Sequence, residues 1–133
     1  MPKLVLANGV FDILHYGHIL YLEEASKMGY LVVAVTRDLH VNKGPGRPTN
    51  PEDHRLAVMK ALRCVRSAIL CNDSLDALEL LKPDIFVKGK DYKGKIEKRH
   101  TDFCQKNGIT IKFTDTPIYS ATKIINDRLR ESR

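Results

Sequence analysis

Hydrophobic positions along the chain fall into short continuous runs separated by longer stretches in which they recur every three or four residues. Leu4 to Ala7 and Leu31 to Val35 are uninterrupted apolar runs, as expected of parallel strands covered on both faces. Between them Tyr21, Leu22, Ala25 and Met28 fall on one arc of a helix, a core stripe, and Gly29 closes that helix. Asn50 is placed to cap a helix with Pro51 in its first turn, so Glu52 to Leu62 reads as helical. Val65 to Leu70 gives a third strand, Ser74 to Lys82 a short leucine-rich helix, and Ile85 to Val87 a fourth strand after Pro83. A helix from about Lys95 to Lys106 ends at Asn107-Gly108. The alternating Ile109 to Phe113 then suits an edge strand, and Ser120 can cap a last helix whose Ala121, Ile124, Ile125 and Arg128 share a face. Regular alternation of strand and helix predicts an α/β, Rossmann-like, doubly wound parallel sheet of about five strands, built as one domain over residues 1–133.

Composition adds little to this and excludes some classes. The chain has 133 residues, 43% hydrophobic and 29% charged, which is ordinary for a globular protein with a core of its own. Its longest apolar run, Tyr30 to Val35, is far too short to span a bilayer, and Met1-Pro2-Lys3 leads directly into the first strand; a cytoplasmic protein without membrane association is expected. Three cysteines without Cys-x-x-Cys spacing read as reduced, mostly buried thiols rather than a disulfide framework or zinc site. The formal charge of +6 implies anionic partners. The cations are scattered, tryptophan is absent and no stacking platform is evident, so small anions are expected rather than nucleic acid.

The chemistry concentrates where the first strand meets the first helix, in Asn8-Gly9-Val10-Phe11-Asp12-Ile13-Leu14-His15-Tyr16-Gly17-His18. A glycine-containing turn at a helix N-terminus offers unpaired N–H groups and the positive end of the helix dipole to phosphate. His15 and His18, three residues apart, project from one face and can both reach such an anion. A metal site would need further ligands, and His40, His54 and His100 stand in no ligand-like spacing with Cys64, Cys71 or Cys104. Two further segments leave strand ends. One is the loop from Asn42 to Pro51 with its cations Lys43 and Arg47, which lacks the P-loop pattern; the other is the lysine-rich run from Lys88 to Lys95. Ligands of open α/β sheets bind beyond the carboxyl ends of strands, where strand order reverses. Ile19 and Leu20 lie off the helix's core stripe and are candidates for a contact within a homodimer.

The whole string resembles the His-x-Gly-His signature, with its Asn-Gly-x-Phe-Asp-x-Leu-His lead-in, of the cytidylyltransferase-like nucleotidyltransferase superfamily. The resemblance continues in order through Lys43 to Pro51, Arg55, Val87 to Tyr92 and Ser120 to Ile125, nearly the whole chain. Within that superfamily it is most similar to the nucleotidyltransferase domains of ADP-heptose synthases, which are heptose 1-phosphate adenylyltransferases; their kinase portion has no counterpart here. It implies the nucleotidylyltransferase fold and backbone contacts to nucleotide from Asn8, Gly9, Val10 and Phe11, with Gly17 in the motif turn. His15 and His18 would hold phosphates during transfer, and Lys43 and Arg47 would meet the phosphates of nucleotide and acceptor. Lys88 and Asp91 would lie near the bound nucleotide, Ser120, Thr122 and Lys123 would cradle phosphate, and Asp12 and Arg55 would support the site. Departures are Ala121 for a threonine, Val10 where the heptose group often has cysteine, and Asp115 where glycerol-3-phosphate cytidylyltransferases carry arginine.

The implied reaction is attack of an acceptor phosphate oxygen on the α-phosphorus of a nucleoside triphosphate, releasing pyrophosphate. A phosphate monoester, with its second pKa near 6, is already a nucleophile at neutral pH and needs no general base. The obstacle is repulsion, about 4 kcal/mol for each pair of like charges about 4 Å apart at an effective dielectric of about 20. Cations, helix N-termini and Mg2+ carried with the triphosphate are the expected remedy, with no magnesium ligand assignable. AMP transfer from ATP to a sugar phosphate such as heptose 1-phosphate is the leading expectation. A CTP-dependent cytidylyltransferase acting on glycerol 3-phosphate or another alcohol phosphate is the second, and a catalytically inactive nucleotide- or RNA-binding module the third.

Overall fold

The computed structural model of the protein describes residues 2–42, 44–117 and 128–129. Five strands form one sheet: β1 (Leu4–Gly9), β2 (Tyr30–Thr36), β3 (Ser67–Cys71), β4 (Ile85–Lys88) and β5 (Thr110–Phe113). All pair in parallel, in the order β3-β2-β1-β4-β5. Helices α1 (Tyr16–Ser26), α2 (Glu52–Ala61), α3 (Ser74–Leu81) and α4 (Lys98–Lys106) connect them. The α/β doubly wound expectation therefore holds, and the apolar runs are the strands that neighbours cover on both faces.

Alternation along β1 divides the core. Val5 and Ala7 point to the layer that holds Leu22 and Ala25 of α1 and Met59 of α2, whereas Leu6 points to Ala77 and Leu78 of α3 and Cys104 of α4. Phe86, Leu6, Leu22, Leu31 and Leu78 are all fully buried. Each such side chain contributes roughly 1.5–3 kcal/mol by leaving water. Two of the three cysteines, Cys71 and Cys104, are buried and all three are free thiols; burial, aided by Asp76 and Asp73, pushes the Cys71 thiol up to about 12.

Several boundaries shift for physical reasons. Asn50 does not cap α2: the flanking residue is Pro51, and the Asn50 amide donates instead to the Asp12 carbonyl at 2.6 Å. Lys27, not Gly29, flanks the end of α1; Gly29 lies where α1 turns into β2, and a Cβ there would sit 2.2 Å from the Lys3 carbonyl. α4 begins at Lys98 rather than Lys95, because a short 3-10 turn, Lys90–Tyr92, takes up the start of the lysine-rich run. The expected last helix from Ser120 lies outside the described residues, except for Arg128 and Leu129, which are helical.

Strand order reverses beside β1. The chain moves outward from β1 to β2 and β3, then returns to β4 on the other side of β1, so a crevice opens beyond the carboxyl ends of β1 and β4. The floor on the β1–β2 side is fixed by Arg55, 1% exposed on α2. Its guanidinium donates to the carbonyls of Val10 (2.8 Å), Thr36 (2.8 Å) and Asn50 (2.9 Å) and pairs with Asp38 at 2.6 Å. It thus ties together the exits of β1 and β2 and the loop before α2.

Arg55→Met keeps an unbranched apolar stem but leaves three carbonyls without this donor. Loss of roughly 3 kcal/mol of unfolding free energy is expected, at about 1 kcal/mol for each abandoned group. It is read from the urea midpoint at unchanged slope; a loss under about 1 kcal/mol would contradict the assigned role.

Candidate active site

The turn that leaves β1 is shaped by two residues. Phe11 takes a left-handed backbone conformation, φ 52°, and its ring folds back over Gly9. A Cβ on Gly9 would stand 2.8 Å from Phe11 Cε2 and 2.9 Å from Cζ, so only glycine leaves room for that ring. The ring then meets His18 edge-on, with centroids 5.5 Å apart and planes at 67°. Asn8, one residue earlier, has no side-chain atoms to spare. Its Nδ2 donates to the Ala34 carbonyl (2.8 Å), Thr36 Oγ1 (3.3 Å) and Cys71 Sγ (3.3 Å), and its Oδ1 accepts from Ser74 Oγ (2.5 Å). At Asn8 it is therefore the backbone that is left to meet a ligand.

The two histidines cap α1 reciprocally. The Gly17 N–H donates to His15 Nδ1 (3.1 Å), and the His15 N–H donates to His18 Nδ1 (3.2 Å). An Nδ1 that accepts cannot carry the proton, so each neutral ring bears its hydrogen on Nε2. Backbone amides thereby do the orienting for which sequence reading found no carboxylate. Burial holds His15 below the usual histidine pKa of 6.5, in its neutral form at pH 7. The rings lie 4.0 Å apart, tilted by 30°. The first turn of α1 carries no acidic residue, so the positive end of the helix is left to an anion from outside.

Opposite stands the end of β4. Lys88 Nζ lies 4.7 Å from the Tyr92 ring centre and 5.3 Å from that of Phe86. Burial pushes its pKa below 10.5, while Asp91 and Glu97 push back. The Tyr21 hydroxyl donates to the Val87 carbonyl at 3.0 Å, and burial raises its pKa, so the phenol stays protonated. The third wall is the segment Thr114 to Pro117 after β5. It is held by Glu24 of α1, whose carboxylate accepts from the N–H groups of Asp115 (2.9 Å) and Thr116 (3.2 Å).

These walls enclose a cavity of about 220 Å³. Asn8, Gly9, Val10, Phe11, His15, Gly17, His18, Lys88 and Asp91, all singled out from sequence, line it together. Gly89 and Tyr92, from the lysine-rich run, line it too, as do Tyr21, Thr114, Thr116 and Pro117, which were not foreseen. Tyr21 shows why: on a helical wheel it is core, and its ring is indeed packed there, but its position beside the mouth of β4 gives it a second face.

Of the two cations expected in the loop before α2, Arg47 lies among the described residues. Arg47 is not on the cavity wall; its guanidinium is 3.7 Å from Asp12 and two-fifths exposed. Asp12 accepts from the N–H groups of Thr49 (2.7 Å) and Asn50 (2.8 Å). Burial alone would raise its pKa, but those two hydrogen bonds and the charges of Arg47 and Arg55 more than offset it, leaving a carboxylate below 3.8. Asp12 and Arg55 are thus supporting residues that clamp the loop to the turn after β1. Lys43, Ser120, Thr122 and Lys123 lie outside the described residues. Among the described residues, no three metal-capable side chains cluster, and no helix is long and apolar enough to cross a membrane.

Known proteins resemble this chain in sequence and in fold. The family model for cytidylyltransferase-like proteins matches residues 6–127. The bifunctional protein HldE of Pseudomonas putida (strain GB-1) is 40% identical over 98% of this chain, and that of Hahella chejuensis is 48% identical over 68% of it. The chain spans only 28% and 20% of those two proteins. A crystal structure of a lipopolysaccharide core biosynthesis protein from Thermoplasma volcanium superposes with a TM-score of 0.72 at 38% identity, covering 90% of this chain and all of that one. The pantoate-beta-alanine ligase of Francisella tularensis, 14% identical with a TM-score of 0.64 over 98% of this chain and 70% of that one, shares the fold. With the signature histidines on the first helix and the cavity at the reversal of strand order, the chain belongs to the cytidylyltransferase-like family of nucleotidyltransferases.

Proposed function

We propose that this nucleotidyltransferase moves AMP from ATP onto a sugar phosphate such as heptose 1-phosphate and releases pyrophosphate. The observation that carries the reading is the pair of imidazoles locked through Nδ1 at the N-terminus of α1, facing a half-desolvated Lys88 across one crevice. The similarity to HldE proteins and to the lipopolysaccharide core biosynthesis protein supports the choice of a sugar phosphate acceptor.

In this reaction an oxygen of the acceptor phosphate forms a bond to the α-phosphorus while the bond from that phosphorus to the bridging oxygen of pyrophosphate breaks. The acceptor is already anionic, so no proton has to move. The imidazole Nε2–H groups and the first N–H groups of α1 hold phosphate oxygens, and Lys88 neutralises charge from the β4 side. In a site that excludes water these fixed donors act more strongly than they would in bulk solvent. Lys43, Arg47 and Lys123 would add further positive charge.

Mg2+ fits as a companion of the triphosphate rather than a resident of a protein cage, since it keeps phosphate and water oxygens as most of its ligands. Bound there, it supplies further neutralisation of the phosphates. Homodimers formed through the side of α1 that carries Ile19 and Leu20, both half-buried within the chain, complete the proposal.

Pyrophosphate release over a panel of triphosphates and phosphorylated acceptors tests the reading. Turnover is expected with ATP and a sugar 1-phosphate; turnover with CTP alone would replace it by an alcohol-phosphate cytidylyltransferase. His15→Asn separates chemistry from folding, because asparagine is an equally good helix cap. Its kcat should fall at least about 100-fold for loss of the Nε2 donor, with a melting midpoint within about 2 °C of the parent's.

A pH titration of stability provides a further check. Since the folded pKa of His15 lies below its unfolded value of 6.5, its contribution is intact above pH 6.5 and is lost as pH falls from there through the folded value. His100, also depressed by burial, acts with the same sign. Urea midpoints should therefore drop on acidification below pH 6.5, and His15→Asn should flatten that drop; an unchanged profile would show that His15 is not held neutral by the fold.

A further inference from the structure

The third wall of the nucleotide cavity is made of chain that has already left the sheet. β5 is an edge strand with β4 as its one neighbour, and the Thr114 N–H, donating to the Lys88 carbonyl at 2.9 Å, is the last contact of that pair. Beyond it the ladder offers the Asp115 and Thr116 N–H groups no further acceptor. Glu24 supplies one: its Oε1 accepts from Asp115 (2.9 Å) and Thr116 (3.2 Å), and its Oε2 accepts from Asp115 at 3.1 Å. From the β4 side Lys90 Nζ donates to the Asp115 carbonyl at 3.4 Å. Removing the Glu24 carboxylate would leave two adjacent N–H groups to water and free the wall to move.

The residue that holds this wall stands on α1. Gly17, Tyr21 and Glu24 follow one another at spacings of four and three, so they share a face of that helix. Gly17 belongs to the first turn with His18, Tyr21 is tied to Val87 at the exit of β4, and Glu24 is tied to the exit of β5. One helix thus sets both the phosphate-holding turn and, two turns later, the wall of residues 114–117. A cavity whose walls are fixed beforehand binds more tightly than one that must order them at each encounter, because that entropy is not lost on binding. On the reading given under Proposed function, the phosphates engage the histidines and Lys88, which leaves Thr116 and Pro117 among the lining that meets the nucleoside. We propose that Glu24 is a positioning residue for the nucleoside: acting through Asp115 and Thr116, it holds residues 114–117 in their binding shape before any ligand arrives, and so it governs affinity for the triphosphate rather than the chemical step.

Steady-state kinetics and amide hydrogen exchange test this together. Glu24→Ala should raise the KM for ATP about tenfold, on the order of the cost of fixing one residue's backbone, while kcat and the acceptor KM stay within about twofold because the histidines and Lys88 are untouched. Glu24→Gln, whose amide oxygen still accepts from both N–H groups, should keep that KM within about threefold of the parent's. The Asp115 and Thr116 amides should be protected from exchange in the ligand-free parent and lose that protection in Glu24→Ala. A KM for ATP within about twofold of the parent's in Glu24→Ala overturns the proposal, as does a fall in kcat as large as the rise in KM, or a glutamine variant as impaired as the alanine one. If Glu24→Ala does not fold, exchange in the ligand-free parent decides: protection of both amides that ATP does not increase supports the assignment, and unprotected amides overturn it. Should the parent turn over CTP and not ATP, the adenylyltransferase reading fails, and the same measurements made with CTP still decide the role of Glu24.

Discussion

One buried guanidinium organises the floor of this molecule. Arg55 is removed from water at the junction of β1, β2 and the loop before α2, and it is tolerable there only because every side of its fork is met by a carbonyl or by Asp38. The requirement runs both ways. The Val10 carbonyl lies just past the end of β1 and the Thr36 carbonyl at the end of β2, and Arg55 donates to both. A neighbouring clamp, Asp12 to the N–H groups of Thr49 and Asn50, fixes the same loop from the opposite direction. The turn that carries Phe11, and through it His18, is therefore defined from below before any ligand arrives.

Upon that floor the histidines are oriented by what they accept. With Nδ1 of each ring engaged by a backbone N–H, the protonated nitrogen of the neutral ring is Nε2. Neutral donors of fixed direction suit a site where the charge to be stabilised develops on particular oxygens. They select by geometry, whereas a flexible ammonium attracts any anion nearby. The cap costs nothing extra, because the helix needs its first N–H groups satisfied in any case.

Much of this was legible in the chain. Continuous apolar runs gave the central strands, and their separation from alternating Ile109 to Phe113 marked β5 as the edge, where it is found. The turn after β1 was legible because its chemistry is local: Gly9, Phe11, His15 and His18 act within one turn and one cap. What escaped depends on distant pairs. Glu24 reaches Asp115 across 91 positions, Asn8 reaches Ser74 across 66, and Tyr21 reaches Val87 across 66. No periodicity encodes such partners. Asn50 was misplaced for the same reason: its local preference for a helix cap was overridden by Asp12, 38 positions away. Arg47, expected from its loop to meet phosphate, stands beside the Asp12 carboxylate.

The net charge of +6 explains less of the site than its placement suggests. Most lysines and arginines face solvent, where salt screens them within about 8–10 Å. Lys88, on the cavity wall, is set between two aromatic rings and partly stripped of water. Desolvation lowers its pKa and so weakens its hold on the proton, but the same loss of water strengthens its attraction for any phosphate that enters. A triphosphate therefore restores what burial removes: its negative charge favours the ammonium form, and the ammonium in turn favours the bound anion. This mutual dependence, more than the sum of surface charge, is how a crevice between two strands can bring two polyanions together.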